Sequence, residues 1–187
     1  MDEDNQERFY RRQIPKKQLY ILTESAFFNA FRDFEVFFRD IFLLYCKETK
    51  ARNGKRPKSF LNPKSFEHAE ELIQSSMQFL DWSSPDKLIN RSKLYLQNDG
   101  YPLKDLISSN QNRLNNYKNL RNHIAHNSKE SYRKYKNILH SYYGYTPLNP
   151  EPPGSYLLNP SNENSGNYIL LDFFDDLESI SYNMTEI

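Results

Sequence analysis

Apolar positions along this chain return every three or four residues, the spacing of helices with one buried face. The longest such run covers residues 16–50. At about 100° per residue, Phe27, Phe31, Phe34, Phe38, Ile41, Phe42 and Tyr45 share one face of it. Phe28 falls elsewhere, and Val36 and Leu43 lie nearly opposite, which predicts a helix either sandwiched between neighbours or set at an oligomer interface. Asn62-Pro63 offers an N-cap and a first-turn proline for a second helix through about Leu80, with Phe66, Ala69, Ile73, Met77 and Leu80 as its stripe. Ser84-Pro85-Asp86 repeats that start signal for a helix reaching Leu96, and Asn98-Asp99-Gly100 ends it. Beyond Pro102, Leu106 and Ile107 lead into a helix over 113–127 with Leu114, Tyr117, Leu120 and Ile124 on one side. Asn127-Ser128 breaks it, and 128–143 carries Tyr132, Tyr135, Ile138, Leu139 and Tyr142 at helical spacing before Gly144.

Glycine is scarce, at 5 residues in 187, which with long periodic runs argues for helices over a turn-rich β architecture. The expectation is an all-α bundle of four to six helices over 16–145, preceded by a flexible arm over 1–15. Residues 146–187 open with a stretch rich in Pro, Asn, Ser and Gly, so they read as an extended segment, with a short docked helix at Tyr168 to Ile180. From 151 onward there are seven acidic residues and no Lys or Arg, which makes this an acidic tail.

Net charge is +1, so global charge does not point to nucleic acid. One cysteine excludes an internal disulfide and suits a reducing compartment; Cys46, among apolar residues, reads as core. Met1 leads into a polar, acidic segment, and Ile41 to Cys46 is far too short a run to span a membrane. These features predict a soluble, cytoplasmic protein with no membrane association.

Candidate chemistry gathers in RLNNYKNLRNHIAHN, Arg113 to Asn127. Arg121, Asn122, His123 and His126 fall within six residues at the helix end. Arginine stays protonated and forks onto phosphate, and histidine exchanges a proton near neutral pH, so the set can act on a phosphodiester without a metal or other cofactor. The same cations would also balance a helix C-terminus without any catalytic task. If the helix is regular, Asn122 and His126 share a face beside Asn115 and Asn119, while Arg121 lies about 140° from His126, nearer the apolar stripe.

An arginine, a polar residue, three more residues and a histidine at the end of a helix, in a chain of helices, resembles the HEPN superfamily. The resemblance covers the motif closely and the helical layout loosely. Catalytically active members of that superfamily are metal-independent endoribonucleases, many of them toxins or phage-defence effectors. It implies a HEPN-like bundle, an RNA substrate, and a homodimer whose composite site uses Arg121, Asn122 and His126 from both copies, with an antitoxin or regulatory protein as a further partner. In that chemistry an RNA 2′-hydroxyl attacks the adjacent phosphate. His126 acts as base or acid, Arg121 holds the phosphate, and Asn122 orients either one. The products are a 2′,3′-cyclic phosphate and a 5′-hydroxyl. Members paired with nucleotidyltransferase antitoxins often carry a tyrosine two residues after the histidine; here that residue is Ser128, so silencing at that position is unsupported.

Local charge favours RNA more than total charge does: between Arg113 and Lys136 there are seven Lys or Arg against one Glu. Lys118, His123, Lys129, Arg133, Lys134 and Lys136 are the candidate RNA contacts, although His123 fits a packing or capping role equally well. In YRKYK, Tyr132 to Lys136, rings alternate with cations as phosphate grip and base stacking require, while Tyr132 and Tyr135 also fit the core. The basic loop Ala51 to Ser59 reads as a solvated turn or a phosphate contact. His68 among Glu67, Glu70 and Glu71 reads as a solvated face, and no metal site is expected. Two readings compete with the nuclease: a non-catalytic RNA-binding or dimerisation module, and a structural helical adaptor docked through the acidic tail.

Overall fold

The structure is a computed structural model that describes residues 14–75, 80–163 and 166–186. The arm expected over 1–15 therefore lies almost wholly outside the described residues, as does Met77. Among the described residues the fold is all-α, with no strand and two isolated antiparallel bridges, Ser59 to Leu96 and Pro160 to Tyr168. In chain order the helices are α1 (Lys16–Cys46), α2 (Phe66–Gln74), α3 (Pro85–Tyr95), α4 (Leu103–Ser109), α5 (Gln111–His126), α6 (Lys129–Tyr143), α7 (Pro153–Leu157) and α8 (Ile169–Thr185). No helix among the described residues is long and apolar enough to cross a membrane.

The chain divides into two compact units, one from Met1–Ala30 with Leu120–Phe174, the other from Phe31–Asn119 with Asp175–Ile187. In the larger unit the expected aromatic stripe of α1 is core: Phe31, Phe34, Phe38, Phe42 and Tyr45 are buried. Leu43, from the opposite side, is fully buried too, while Val36 stays exposed, so α1 is covered on two sides only at its C-terminal end. Trp82 packs on Phe42 and Phe38 and carries the Arg91 guanidinium on its ring at 4.2 Å. Cys46 is buried as expected, and burial pushes its thiol up to about 12.

Two expectations need correction here. The second helix begins at Phe66 and not after Asn62-Pro63, because the Ser65 hydroxyl accepts the His68 N–H and so supplies the cap; it ends at Gln74, before Leu80. Residues 169–185 are, as expected for Tyr168 to Ile180, a docked helix and not extended chain, but a longer helix than expected. They form a 17-residue helix that buries Leu177, Ile180 and Met184 in the larger unit, where the Tyr45 hydroxyl donates to the Met184 carbonyl at 2.9 Å. Arg113 and Tyr117 both reach the Asp176 carboxylate, so part of the acidity of α8 is neutralised internally. The basic loop is a tied turn: Arg52 pairs with Glu186 at 3.4 Å, Lys58 with Glu48 at 2.9 Å, and the Asn53 amide donates to the Glu186 carbonyl.

The smaller unit holds the candidate motif. Phe27 of α1 meets Phe173 of α8 at 4.2 Å between ring centroids, and Leu120, Tyr135, Ile138, Leu139, Tyr156 and Leu157 complete the buried set. Within it α7 lies close against α1. A Cβ on Gly154 would lie 2.3 Å from the Tyr20 carbonyl oxygen, and the Gly154 N–H donates to Glu24 Oε1 at 2.8 Å. Glycine is the residue that allows those backbones to meet.

Candidate functional site

The last turn of α5 and the first of α6 are joined by two residues. Asn127 takes a left-handed conformation, φ 41°, and its N–H closes the helix on the His123 carbonyl at 3.0 Å. Ser128 then caps α6 reciprocally: its hydroxyl accepts the Ser131 N–H, and the Ser131 hydroxyl accepts the Ser128 N–H. This short link sets the direction of both helices at the motif.

His123 belongs to the packing of that corner. It is 7% exposed, lies stacked on Tyr135 with centroids 4.8 Å apart, leans on Tyr132 at 5.7 Å, and places Nδ1 3.4 Å from the Ser131 hydroxyl. Burial lowers its pKa, which favours the neutral ring. Of the two roles open to His123, these ring contacts and its burial favour packing.

Arg121 emerges on the flank, half-buried, as its angular position predicts. Its guanidinium lies 5.5 Å from the centre of the Phe28 ring, and Nη1 donates to Asn122 Oδ1 at 3.0 Å. Phe28, which fell off the main stripe of α1, is therefore the platform for the arginine, a contact no local pattern could show. The bond engages one lone pair of the Asn122 amide oxygen and so fixes the direction in which its NH2 donors point. His126 is exposed at the last position of α5, one turn beyond Asn122 on the same face. The arrangement sets an oriented amide and an accessible imidazole together, with a fixed guanidinium at their flank.

The basic side chains divide. Lys118, one of the candidate RNA contacts, falls in the larger unit, where it pairs with Asp81 at 3.5 Å alongside Lys87 at 3.2 Å. Burial of Asp81 opposes its ionisation, but hydrogen bonds from Ser83 and the charge of Lys118 override this and bring the carboxyl down to about 2. Lys134 pairs with Glu130 one turn back at 3.1 Å. Lys129 and Arg133 are exposed on α6, and Lys136 lies over the Tyr132 ring at 5.3 Å. Tyr135 is core as expected, but Tyr132 is 39% exposed.

Among the described residues no group of three or more His, Cys, Asp or Glu is placed to hold a metal ion. His68, beside Glu67, Glu70 and Glu71 in the sequence, accepts the Lys64 N–H at Nδ1 and so helps form the start of α2. Comparison with known proteins gives no matching family model, no matching curated protein and no matching solved structure.

Proposed function

We propose that this protein is a metal-independent endoribonuclease of the HEPN type, acting as a homodimer in the cytoplasm under the control of a regulatory or antitoxin-like partner. One observation carries the reading: Arg121 is held on the Phe28 ring and bonded to Asn122, one turn from an exposed His126. A catalytic arginine needs a fixed guanidinium, and a general base or acid needs reach to solvent and substrate; the two side chains divide along those lines. His126 would take the 2′-hydroxyl proton or return one to the leaving 5′-oxygen, with the second copy's motif in the complementary role. Arg121 would meet the charge that builds on the phosphoryl oxygens.

The test is cleavage of a mixed-sequence RNA in excess EDTA by wild type, Arg121→Ala and His126→Ala, with circular dichroism to confirm folding. Cleavage by wild type alone, ending in a cyclic phosphate, is the expected result. Equal cleavage by all three would place the activity elsewhere. The inward contacts of Arg121 also suit a non-catalytic module, and RNA binding without cleavage by the wild type would favour that reading.

A further inference from the structure

The α6 face that begins beside His126 is a mixed basic and aromatic stripe. On a regular helix Lys129, Tyr132, Arg133, Lys136, His140 and Tyr143 fall within about 100° of one another. The buried residues Ser131, Tyr135, Ile138 and Leu139 lie on the other side. Glu130, the one acidic residue of this helix, stands on the flank and is paired with Lys134. Tyr132 is 39% and Tyr143 37% exposed, so both rings reach solvent on this face. Tyr143 is held by its hydroxyl, which donates to Glu151 Oε1, while Asn159 donates to that same oxygen at 2.8 Å. The carboxylate at that end is thus already engaged, and the ring is fixed in orientation.

We infer that this stripe is a docking track for single-stranded RNA, in which Lys129, Arg133 and Lys136 contact phosphates while Tyr132 and Tyr143 stack on bases, delivering the strand to His126. The inference deepens the nuclease reading and rests on it for what happens at the end of the track. The cations complement the phosphates of any nucleic acid, and it is the exposed rings among them that select a single strand over a duplex, whose bases are stacked on each other and turned inward. Lys136 now covers the Tyr132 ring at 5.3 Å. An arriving base takes that face and frees the ammonium for the neighbouring phosphate. At 1.5 Å per residue the stripe runs about 21 Å, enough for about four nucleotides. Neither stacking nor phosphate contact uses the 2′-hydroxyl, so DNA of the same sequence should dock and compete without being cut.

The probe is a fluorescent 2′-O-methyl oligoribonucleotide of about eight nucleotides, which offers no free 2′-hydroxyl nucleophile, followed by fluorescence anisotropy. Wild type should bind it roughly tenfold tighter than the same strand in a duplex, and Tyr132→Ala should weaken it roughly tenfold while Tyr132→Phe retains it. The salt dependence should have a log–log slope near −2 for three phosphate contacts, and become shallower by about 0.7 in Arg133→Ala. Ser141→Ala, exposed on the flank of the same helix, should bind as wild type. Absence of binding, equal binding of duplex and single strand, or indifference to Tyr132→Ala overturns the track. Probe binding by a wild type that cleaves no RNA would sink the nuclease reading and leave the track standing. Cleavage that depends on Arg121 and His126, with probe binding indifferent to Tyr132, would do the reverse.

Discussion

His123 lies flat on Tyr135, with planes 19° apart and centroids 4.8 Å apart, and this contact joins the motif helix to the helix after it. The imidazole uses a face of the tyrosine while the tyrosine hydroxyl donates to the Glu151 carbonyl at 2.9 Å. Tyr135 is therefore a structural centre between the candidate catalytic turn and the segment leading to α7. Tyr135→Ala should cost about 3–5 kcal/mol, as for other buried aromatic truncations. Tyr135→Phe, which loses only the hydrogen bond, should cost about 1 kcal/mol. Urea unfolding of both variants checks the ratio, and equal losses would mean that stacking contributes little.

The same contact gives a pH dependence with a definite sign. Burial depresses the pKa of His123 in the folded state, so as pH falls the unfolded chain takes up this proton first. The stabilising contribution is complete above about 6.5, the ordinary histidine value, and is lost as pH falls toward the lower folded value. Asp81 acts in a separate window: its contribution is present above 3.8 and is lost on the way down to about 2. Wild type should thus lose stability between about pH 7 and about pH 5 more steeply than His123→Phe. A series of urea midpoints across that range measures the difference, and parallel curves would contradict it.

Gly154 is predicted to resist any side chain. Alanine there would push a methyl group into the Tyr20 carbonyl, at a distance that the backbones of α1 and α7 must open to relieve. The expected loss is about 1–3 kcal/mol, with a fall in thermal midpoint readable by calorimetry. An unchanged midpoint would show that α7 is free to move away from α1.

Arg121→Lys keeps the charge but loses the planar fork that spans Phe28, Asn122 and a phosphate. Cleavage should fall by about 10²-fold with the melting temperature nearly unchanged. Activity close to wild type would mean that the arginine supplies charge alone.

Lys118→Ala should leave RNA binding and cleavage within about twofold of wild type, since its ammonium serves Asp81; the stability cost should stay near or below about 1 kcal/mol. A tenfold loss of RNA affinity would return Lys118 to the substrate surface.

The contrast between Lys118 and Arg121 shows how far the sequence could be read. Helical periodicity located the aromatic stripe of α1 and the start of α3 at Ser84-Pro85, because those signals are local: spacing, caps and first-turn prolines. It also placed Arg121 on the flank toward the apolar side, again from angles within one helix. What it could not supply were partners distant along the chain. Asp81 is 37 residues from Lys118, and Phe28 lies on α1, far from Arg121 in sequence. The docking of α8 was understated for the same reason. Residues 146–167 have turn-like composition, and the alternation of acidic and apolar residues after 169 becomes a core face only when the rest of its unit is present. Tyr132 erred in the other direction: its helical spacing matched Tyr135, but its angle places it at the rim.

The two-residue link between His126 and Lys129 leaves the chain no slack. An extra residue anywhere in the first turn of α6 would rotate all that follows by about 100°. Tyr135 would then leave His123, and the row of cations and rings would turn out of line with His126. A deletion would do the same in the opposite sense. At this corner the count of residues is as much a functional specification as their identities, and variants that exchange side chains here should survive far more often than variants that change its length.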